Sequence, residues 1–274
     1  MTKAAWICFD VESKATTNQA IIERITTQVR EARPANNTAR EIKLLWDEPE
    51  SVRSRVDAAI AKTAVDPLLA EPLCICASCI EGEVRVLDGM EHSVFDMLLD
   101  MVELIQQWCD RDTVWVGHSV ENFDLPLLLA QLQKNTITPP DIFPTYRRGK
   151  WKGNIFDTMG ACPSRTPYIS LLDASLAYGL TAKGLEWKGE RMTGSRVGEA
   201  YDSGEFQLIR DYCKQDVLDE TALFMVQSCN GSWGLSPRTD TTAEQLKEIA
   251  ESFLTPAQKW LAAVPILQSY GLLP

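Results

Sequence analysis

Long apolar runs, an excess of positive charge and paired zinc ligands are all missing from this sequence. No window of the chain comes near the roughly 20 consecutive apolar residues of a membrane span, and no apolar run follows the short basic start. We therefore expect a cytoplasmic protein. The formal net charge is -11, so the surface as a whole repels nucleic acid and a protein that coats or wraps it is disfavoured. A polyanionic substrate would need a local basic patch or bound cations.

The eight cysteines are mostly scattered in apolar surroundings, but Cys74, Cys76 and Cys79 lie close together. Such a cluster can indicate zinc or redox chemistry. No second Cys or His pair stands at zinc-ligand spacing, and the cluster belongs to an apolar, strand-like run. Reduced structural thiols are the favoured interpretation, and they fit a reducing compartment.

Apolar periodicity predicts strands and helices in alternation, which is the order of a layered α/β or mixed α+β fold. The predicted strands cover residues 4–13, 73–80, 84–87, 114–116 and 154–159, and the predicted helices cover residues 21–29, 52–63, 93–109, 127–132, 170–178 and 205–229. In the helix at 93–109 the expected core stripe comprises Phe95, Leu98, Leu99, Val102 and Ile105. Glu81-Gly82-Glu83 is a predicted hairpin turn.

Two segments fall outside the sheet pattern. The helical periodicity of residues 21–29 and 52–63 predicts an insertion of about 14–72 after the first strand, with Asp47 as the N-cap of its second helix. From residue 236 onward the pattern predicts two further helices, at 243–253 and 256–267. We therefore expect one main domain over residues 1–235 and a helical C-terminal extension over 236–274.

The first candidate site lies at the end of the strand predicted for residues 4–13. Its first six residues are apolar, but the run ends in Asp10 and Glu12, which are one residue apart and leave the strand on the same side. Such a pair is either an ordinary strand end that meets water or half of a metal site.

A further acidic residue of interest, Asp124, follows the strand at 114–116. The segment Asn122-Phe123-Asp124 stands between that strand and a leucine-rich helix, which places Asp124 at the junction. A helix N-cap is an equally good interpretation of Asp124 taken alone. His118, just before this segment, is interpreted as a packed and hydrogen-bonded histidine.

The stretch of residues 139–152 is the one concentrated basic and aromatic segment, and it is predicted to be a loop. Its cations, which alternate with Tyr146 and Trp151, are Arg147, Arg148, Lys150 and Lys152. This composition is typical of surfaces that hold phosphates and stack bases. A solvated surface loop is the alternative.

The helix at 205–229 supplies a third motif. Ile209, Cys213, Val217, Thr221 and Phe224 follow helical spacing and are expected to face the core. Tyr212 and Asp216 are four residues apart, so they share a neighbouring face of the same helix.

Together the three motifs resemble those of the DEDD superfamily of 3′-5′ exonucleases. They read Phe9-Asp10-Val11-Glu12-Ser13, Asn122-Phe123-Asp124 and Tyr212-Cys213-Lys214-Gln215-Asp216, in that order. The tyrosine is typical of the subgroup with tyrosine in the third motif, and the pattern is similar to proofreading-type exonucleases related to family B DNA polymerases. The chain departs from that pattern at Ser13, where threonine is usual, and at Ser119, where relatives often have asparagine.

The resemblance implies a fold, a metal centre and roles for individual residues. The fold would be ribonuclease-H-like, with helices packed on a mixed sheet. Two Mg²⁺ or Mn²⁺ ions would be held by four carboxylates: Asp10 would bridge both ions, Glu12 and Asp216 would complete the nucleophile side, and Asp124 would hold the leaving-group side. Tyr212 would orient the attacking water. The flanking residues expected to contact substrate are Val11, Ser13, Asn122 and Phe123, with the basic segment in addition.

Hard oxygen ligands without Cys or His suit Mg²⁺, and two such ions about 3.5 to 4 Å apart can stabilise both oxygens of a phosphodiester displacement. We therefore expect a metal-dependent 3′-5′ exonuclease that acts on single-stranded or frayed 3′ ends, with DNA favoured over RNA, and that releases nucleoside 5′-monophosphates. The alternatives are a 3′-5′ exoribonuclease and a catalytically inactive nuclease-fold binding or scaffold protein.

Overall fold

The computed structural model describes residues 3–32, 48–79, 84–147, 149–163, 168–180 and 184–229, and a mixed sheet lies at its centre. In chain order the elements are β1 (Trp6–Lys14), α1 (Gln19–Glu31), α2 (Pro49–Ala61), β2 (Glu71–Cys79), β3 (Val84–Asp88), α3 (Val94–Trp108), β4 (Val114–Gly117), α4 (Asp124–Lys134), β5 (Thr145–Arg147), β6 (Lys150–Lys152), β7 (Ile155–Asp157), α5 (Leu171–Ala177), β8 (Glu186–Trp187), β9 (Glu190–Arg191), α6 (Val197–Asp202) and α7 (Phe206–Cys229). Short 3₁₀ helices cover Lys62–Val65 and Gly194–Arg196.

The main sheet has five strands in the order β3-β2-β1-β4-β7. Strand β1 pairs antiparallel with β2 on one side and parallel with β4 on the other, and β7 continues the parallel half. Because β1, β4 and β7 run in the same direction, their carboxyl ends meet at one edge of the sheet. The first motif lies in β1 and the second follows the end of β4, so this topology can bring the two together.

Strand β1 is buried on both faces, and its alternation separates two cores. Ile7, Phe9 and Val11 face one core, which contains the apolar residues of α3 and α4. Trp6 and Cys8 face the other core, which contains the apolar residues of α7. Since side chains alternate along a strand, Asp10 and Glu12 continue the row of Trp6 and Cys8 and point toward the α7 side.

The expected core stripe is confirmed for α7 and partly wrong for α3. The buried residues of α7 include all five expected members, Ile209, Cys213, Val217, Thr221 and Phe224. In α3 the buried residues are Met97, Leu98, Met101, Leu104 and Ile105, whereas Phe95 and Leu99 are 44% and 43% exposed. Apolar residues cover most of the circumference of α3, so its periodicity fits two neighbouring stripes and cannot choose between them.

The segment between β1 and β2 is helical, as expected, with one correction. Helix α1 has Asn18 as its N-cap, and the Asn18 side chain accepts hydrogen bonds from Ala20 N and Ile21 N. Helix α2 begins at Pro49 with Glu48 at the N-cap position, so the expected N-cap at Asp47 is wrong. Asp47 lies outside the described residues, as do the predicted turn at 81–83 and the extension predicted for 236–274.

The basic segment is a hairpin, whereas a loop was expected. Strands β5 and β6 pair antiparallel, and Tyr146 stands opposite Trp151 with ring centroids 5.1 Å apart. Such cross-strand aromatic pairs stabilise a short hairpin. Gly149 takes a φ of 77° between the strands, a conformation that glycine adopts without steric cost. Tyr146 and the exposed cations of this hairpin therefore have fixed positions relative to one another.

The clustered cysteines are structural thiols in this fold. Cys74, Cys76 and Cys79 on β2 are buried and form no disulfide. On α7, the Cys213 thiol lies beside those of Cys74 and Cys76 and also donates a hydrogen bond to the Asp10 carbonyl at 3.5 Å. This contact joins α7 to the middle of β1. Among the described helices, none is long and apolar enough to cross a membrane.

Gly117 at the end of β4 permits a close approach that a larger residue would prevent. A Cβ at this position would lie 2.9 Å from the Cβ of Val120, which is fully buried, and 3.2 Å from the Phe9 carbonyl. We expect Gly117→Ala to lower the free energy of unfolding by about 1 to 3 kcal/mol, the range typical of overpacking. Urea unfolding measures this, with Gly198→Ala as the control, because a Cβ at Gly198 in α6 meets nothing within 4 Å. Equal stability of the two variants would contradict the close packing around β4.

Candidate active site

The carboxyl end of β1 places two acidic side chains toward α7. Asp10 is partly buried and Glu12 is 7% exposed, so neither is an ordinary strand end that meets open water. Asp10 stands opposite Cys76 and Glu12 opposite Cys74 in the antiparallel register with β2. The register shifts between Glu12 and Ser13, and the Ser13 hydroxyl then donates to the Ala64 carbonyl at 2.8 Å. This bond ties the strand end to the 3₁₀ helix at Lys62–Val65.

Helix α7 supplies the third carboxylate. One carboxylate oxygen from each of Asp10, Glu12 and Asp216 lies within 4.8 Å of the others. The Tyr212 hydroxyl, one turn earlier, lies beside the Asp216 carboxylate and acts to lower the pKa of that carboxyl. Strand β1 and helix α7 therefore form an acidic cluster from residues more than 200 positions apart in sequence.

Asp124 joins the site by a different route. It is the first residue of α4, is 2% exposed, and its Oδ1 accepts a hydrogen bond from the Val11 backbone N–H at 3.2 Å. The N-cap of α4 is Phe123, without a side-chain capping bond, so the N-cap alternative for Asp124 is wrong. Asp124 lies outside the group of three carboxylates but lines the same cleft.

The loop before Asp124 is fixed by Asp157 at the end of β7. Asp157 accepts hydrogen bonds from the backbone N–H groups of Ser119 at 3.0 Å and Glu121 at 3.4 Å. Ser119 takes a φ of 68°, a conformation uncommon outside glycine. The His118 ring is held between Thr158 Oγ1 at 2.9 Å and the Ile169 carbonyl at 2.8 Å, which confirms it as a packed, hydrogen-bonded histidine.

Burial and mutual repulsion control the protonation of the acidic cluster. Burial raises the pKa of Asp10 to about 6. Burial, and next the charge of Asp10, raise the pKa values of Glu12, Asp124 and Asp216 well above their usual range. Burial and the charge of Asp216 also raise the pKa of Tyr212, so its hydroxyl stays protonated at neutral pH. Without a cation, full ionisation of this cluster is unfavourable.

The cluster has the properties of a site for hard cations. The atoms that could bind a cation are carboxylate oxygens, the ligand type that Mg²⁺ and Mn²⁺ prefer. Within the described part of the chain, Asp10 Oδ2 is buried and has no hydrogen-bond partner. A buried carboxylate oxygen without a partner is energetically costly, and a divalent cation would satisfy it. The residues present therefore fit a metal ion.

A cleft of about 760 Å³ opens over the acidic cluster. Its lining includes Ala64 and Val65, Tyr168, residues 170–172, and the segment around β9. Of the residues expected to contact substrate, those that line this cleft are Val11, Ser13, Asn122 and Phe123. Arg147, Lys150 and Lys152 are exposed on the β5–β6 hairpin and are not among the lining residues, and Arg148 lies outside the described residues.

The sequence patterns missed three charged residues of the cleft: Arg191, Asp219 and Glu220. Glu220 is 2% exposed, accepts a hydrogen bond from the His118 N–H at 3.0 Å, and accepts a second from the Cys8 thiol at 3.5 Å. Its spacing was available as a signal, because it stands four residues after Asp216 on the same helix. Nothing in the local sequence marks Arg191, which reaches the cleft only through the tertiary fold.

Comparison with known families decides the class of the protein. Residues 75–259, more than half of the chain, match the family described as predicted 3′-5′ exonucleases related to the exonuclease domain of PolB. The chain belongs to this family. The matched segment includes the second and third motifs, begins after β1, and runs past the domain boundary expected at residue 235.

The fold agrees with the family. The structure is similar to that of a family B DNA polymerase from the hyperthermophilic archaeon Pyrobaculum calidifontis, with a TM-score of 0.52 and 12% sequence identity. The similarity covers 94% of this chain but 26% of the polymerase chain, so the protein spans about a quarter of that polymerase. The expected ribonuclease-H-like α/β fold is thereby confirmed. No curated protein matches the sequence.

Strand β1 brings the first motif next to the segment that matches the family. The family match does not include Asp10 or Glu12, yet β1 is the central strand of the sheet and brings both carboxylates to Asp216 of the third motif. The family match therefore covers residues 75–259. The acidic pair Asp10 and Glu12 precedes this segment in sequence and lies beside its residue Asp216 in the structure.

Proposed function

We propose that this protein is a metal-dependent 3′-5′ exonuclease that hydrolyses single-stranded or frayed DNA from its 3′ end and releases nucleoside 5′-monophosphates. The observation that carries this proposal is the group of three carboxylates from β1 and α7 whose oxygens lie within 4.8 Å of one another. Such a group in a protein of net charge -11 repels a phosphodiester unless cations intervene.

Asp10, Glu12, Asp124 and Asp216 would hold two Mg²⁺ or Mn²⁺ ions. When bound, such ions supply a hydroxide-like nucleophile near neutral pH and neutralise charge on the attacking and leaving oxygens. In the overall reaction, the oxygen of water bonds to phosphorus and the P–O3′ bond breaks. The products are a nucleoside 5′-monophosphate and a strand shortened by one nucleotide with a new 3′ hydroxyl.

Tyr212 and Glu220 support the site in different ways. Tyr212 is protonated and lies beside Asp216, so it orients the attacking water by hydrogen bonding without taking up a proton. Glu220 accepts bonds from His118 N–H and the Cys8 thiol, and it thereby connects α7 with the end of β4 and with β1. The two residues position the groups that react.

The walls of the cleft favour an unpaired strand. Val65 and Tyr168 are large apolar residues at the cleft, 73% and 68% exposed, and such surfaces can contact unstacked bases.

We further propose that residues 1–235 form the catalytic domain, that 236–274 form an extension, and that the protein is cytoplasmic. None of the seven cysteines whose side chains are described forms a disulfide, which supports a reducing compartment.

The proposal is tested with matched DNA and RNA oligonucleotides that carry a free 3′ hydroxyl. With Mg²⁺ or Mn²⁺, we expect nucleoside 5′-monophosphates from the single-stranded DNA, identified by mass spectrometry, and slower release from blunt duplex DNA. Faster release from RNA would support the exoribonuclease alternative and overturn the DNA preference. No release from any of them would leave the binding or scaffold alternative.

The β5–β6 hairpin provides a second test, on substrate binding. Trp151 Nε1–H donates to the Glu121 carbonyl at 2.8 Å, which holds the hairpin beside the loop that precedes Asp124. We expect the triple variant R147Q/K150Q/K152Q to bind single-stranded DNA more weakly and to show a flatter salt dependence, by about one unit of slope per lost phosphate contact. Fluorescence anisotropy across a salt titration measures both.

The control for the hairpin variant is Arg53→Gln. Arg53 is an exposed cation on α2, with its side chain 85% exposed, so it tests the effect of lost positive charge elsewhere on the surface. An unchanged affinity and salt slope in the triple variant would make the hairpin an ordinary surface feature.

A further inference from the structure

Arg191 is the one arginine or lysine among the described residues that line the acidic cleft. It ends β9 and lies in the same lining as Asp216 and Asp219 of α7. All the other charged residues of this lining are carboxylates: Asp10, Glu12, Asp124, Asp216, Asp219 and Glu220. A single cation in such surroundings requires an explanation, because an anionic substrate must enter here.

The Arg191 guanidinium lies directly on Gly184. A Cβ built on Gly184 would meet Arg191 Nε at 2.6 Å and Cζ at 2.7 Å, so the guanidinium occupies the space that any side chain at position 184 would need. Glycine at this position therefore leaves room for the guanidinium beside the cleft.

The hairpin that carries Arg191 is anchored on both sides. Trp187 and Met192 are 9% and 1% exposed and belong to the core between the sheet and α7. Arg196 lies over the Trp187 ring, donates to the Trp187 carbonyl at 3.1 Å, and pairs with Glu190 at 3.5 Å. Because its neighbours are fixed in this way, the fold sets the position of the Arg191 backbone, and the exposed side chain extends from it at the cleft.

The positive charge of Arg191 acts on two carboxylates of α7 that line the same cleft. Burial raises the pKa of Asp216, and it raises that of Asp219 to about 6; the positive charge of Arg191 opposes both shifts. The guanidinium thus acts on the same carboxylates that would surround a bound phosphate. A planar guanidinium is also the side chain best suited to bidentate contact with phosphate oxygens.

We propose that Arg191 is a further catalytic residue, whose guanidinium contacts a non-bridging oxygen of the scissile phosphate from the Asp216 side. This inference rests on the proposed exonuclease function. Arg191 transfers no proton and forms no covalent bond; it offsets the negative charge that increases on the phosphate oxygens while water adds to phosphorus and the P–O3′ bond breaks. Preorganised donors of this kind contribute roughly 10²- to 10³-fold to the rate.

The test compares an oligonucleotide with a substrate that has only one phosphodiester, the p-nitrophenyl ester of thymidine 5′-monophosphate. We expect Arg191→Gln to lower kcat by roughly 10²-fold on both substrates, and Arg191→Lys to lower it less. The matched control is Lys188→Gln on the same hairpin. Lys188 pairs with Glu199 at 3.0 Å and does not line the cleft, so its loss should leave both rates unchanged.

Gly184→Ala gives an independent arm of the test. The added methyl group should displace the flexible guanidinium while its charge remains, so we expect a smaller loss of kcat than with Arg191→Gln. The double variant G184A/R191Q should be no slower than R191Q alone, because residues that act through one contact are not additive. Melting temperatures close to the wild type would show that these rates come from folded protein.

The outcomes separate this inference from the function on which it rests. If Arg191→Gln slows the oligonucleotide but not the single ester, Arg191 contacts a phosphate further along the strand and the inference is overturned. Unchanged rates on both substrates overturn it as well. If the wild type hydrolyses neither substrate, the exonuclease proposal itself fails.

Discussion

Asp216→Asn is expected to lower the rate of nucleotide release by at least about 10³-fold while the fold is retained. Asparagine keeps the size of the side chain and one carbonyl oxygen, but it removes a charged ligand from the group formed with Asp10 and Glu12. Metal ions contribute several kcal/mol to phosphoryl transition states, and each 1.36 kcal/mol corresponds to about tenfold in rate. Initial rates on single-stranded DNA in Mg²⁺ measure the effect, and Asp10→Ala should behave in the same way.

Two variants on the same helix give this prediction its controls. Asp211 is exposed and bonded to Gln207, so Asp211→Asn makes the same chemical change away from the cleft and should keep the wild-type rate. Tyr212→Phe keeps all four carboxylates and should retain measurable activity, with a loss of about 10²-fold. A wild-type rate in Asp216→Asn would rule out the assigned metal ligands.

Divalent metal should stabilise the wild type strongly, and more so at neutral than at acidic pH. Asp10 has a folded pKa of about 6, and the pKa values of Glu12, Asp124 and Asp216 are raised as well. The metal-free folded state therefore binds protons more tightly than the unfolded chain. Proton binding by Asp10 therefore stabilises the metal-free folded state fully below the unfolded pKa near 4, and this stabilisation is lost as the pH rises through about 6. The raised pKa values of the other three carboxylates act in the same direction.

Thermal melts across pH 5 to 8, with and without Mg²⁺ or Mn²⁺, measure this effect. A ligand at one hundred times its Kd adds about 2.7 kcal/mol, which is several degrees of Tm for a chain of this size. The metal-free Asp10→Ala variant should melt above the metal-free wild type and gain much less from metal, and Ca²⁺ serves as a non-catalysing control. An equal metal response in wild type and Asp10→Ala would show that these carboxylates do not share a metal.

Residues that carry a local pattern were predictable from the sequence. The alternation of residues 4–13 predicted that Asp10 and Glu12 leave the strand on one side, and they continue the row of Trp6 and Cys8 toward α7. Four-residue spacing placed Tyr212 and Asp216 together, and the Tyr212 hydroxyl lies beside the Asp216 carboxylate. The order of strands and helices predicted the mixed α/β layers, since one buried face per element restricts how the layers can pack.

What the sequence could not supply depends on contacts between distant segments. Phe95 and Leu99 were expected in the core because α3 has two overlapping apolar stripes, and only packing on the sheet selects one of them. The basic segment was expected to be a loop, since its strands are three residues long and their aromatic pair is recognisable only after they meet. Arg191 enters the cleft because Gly184 leaves space for its guanidinium, and neither residue has a motif of its own.

The most direct test of the central claim is the cleavage pattern of a 5′-labelled single-stranded DNA, resolved by gel electrophoresis in Mg²⁺ and in EDTA. A catalytic metal centre formed by Asp10, Glu12, Asp124 and Asp216 predicts a ladder of products shortened stepwise from the 3′ end. The ladder should form with the wild type in Mg²⁺. It should be absent with the wild type in EDTA and absent with Asp216→Asn in Mg²⁺. An intact oligonucleotide with the wild type in Mg²⁺, or an equal ladder with Asp216→Asn, would contradict the account.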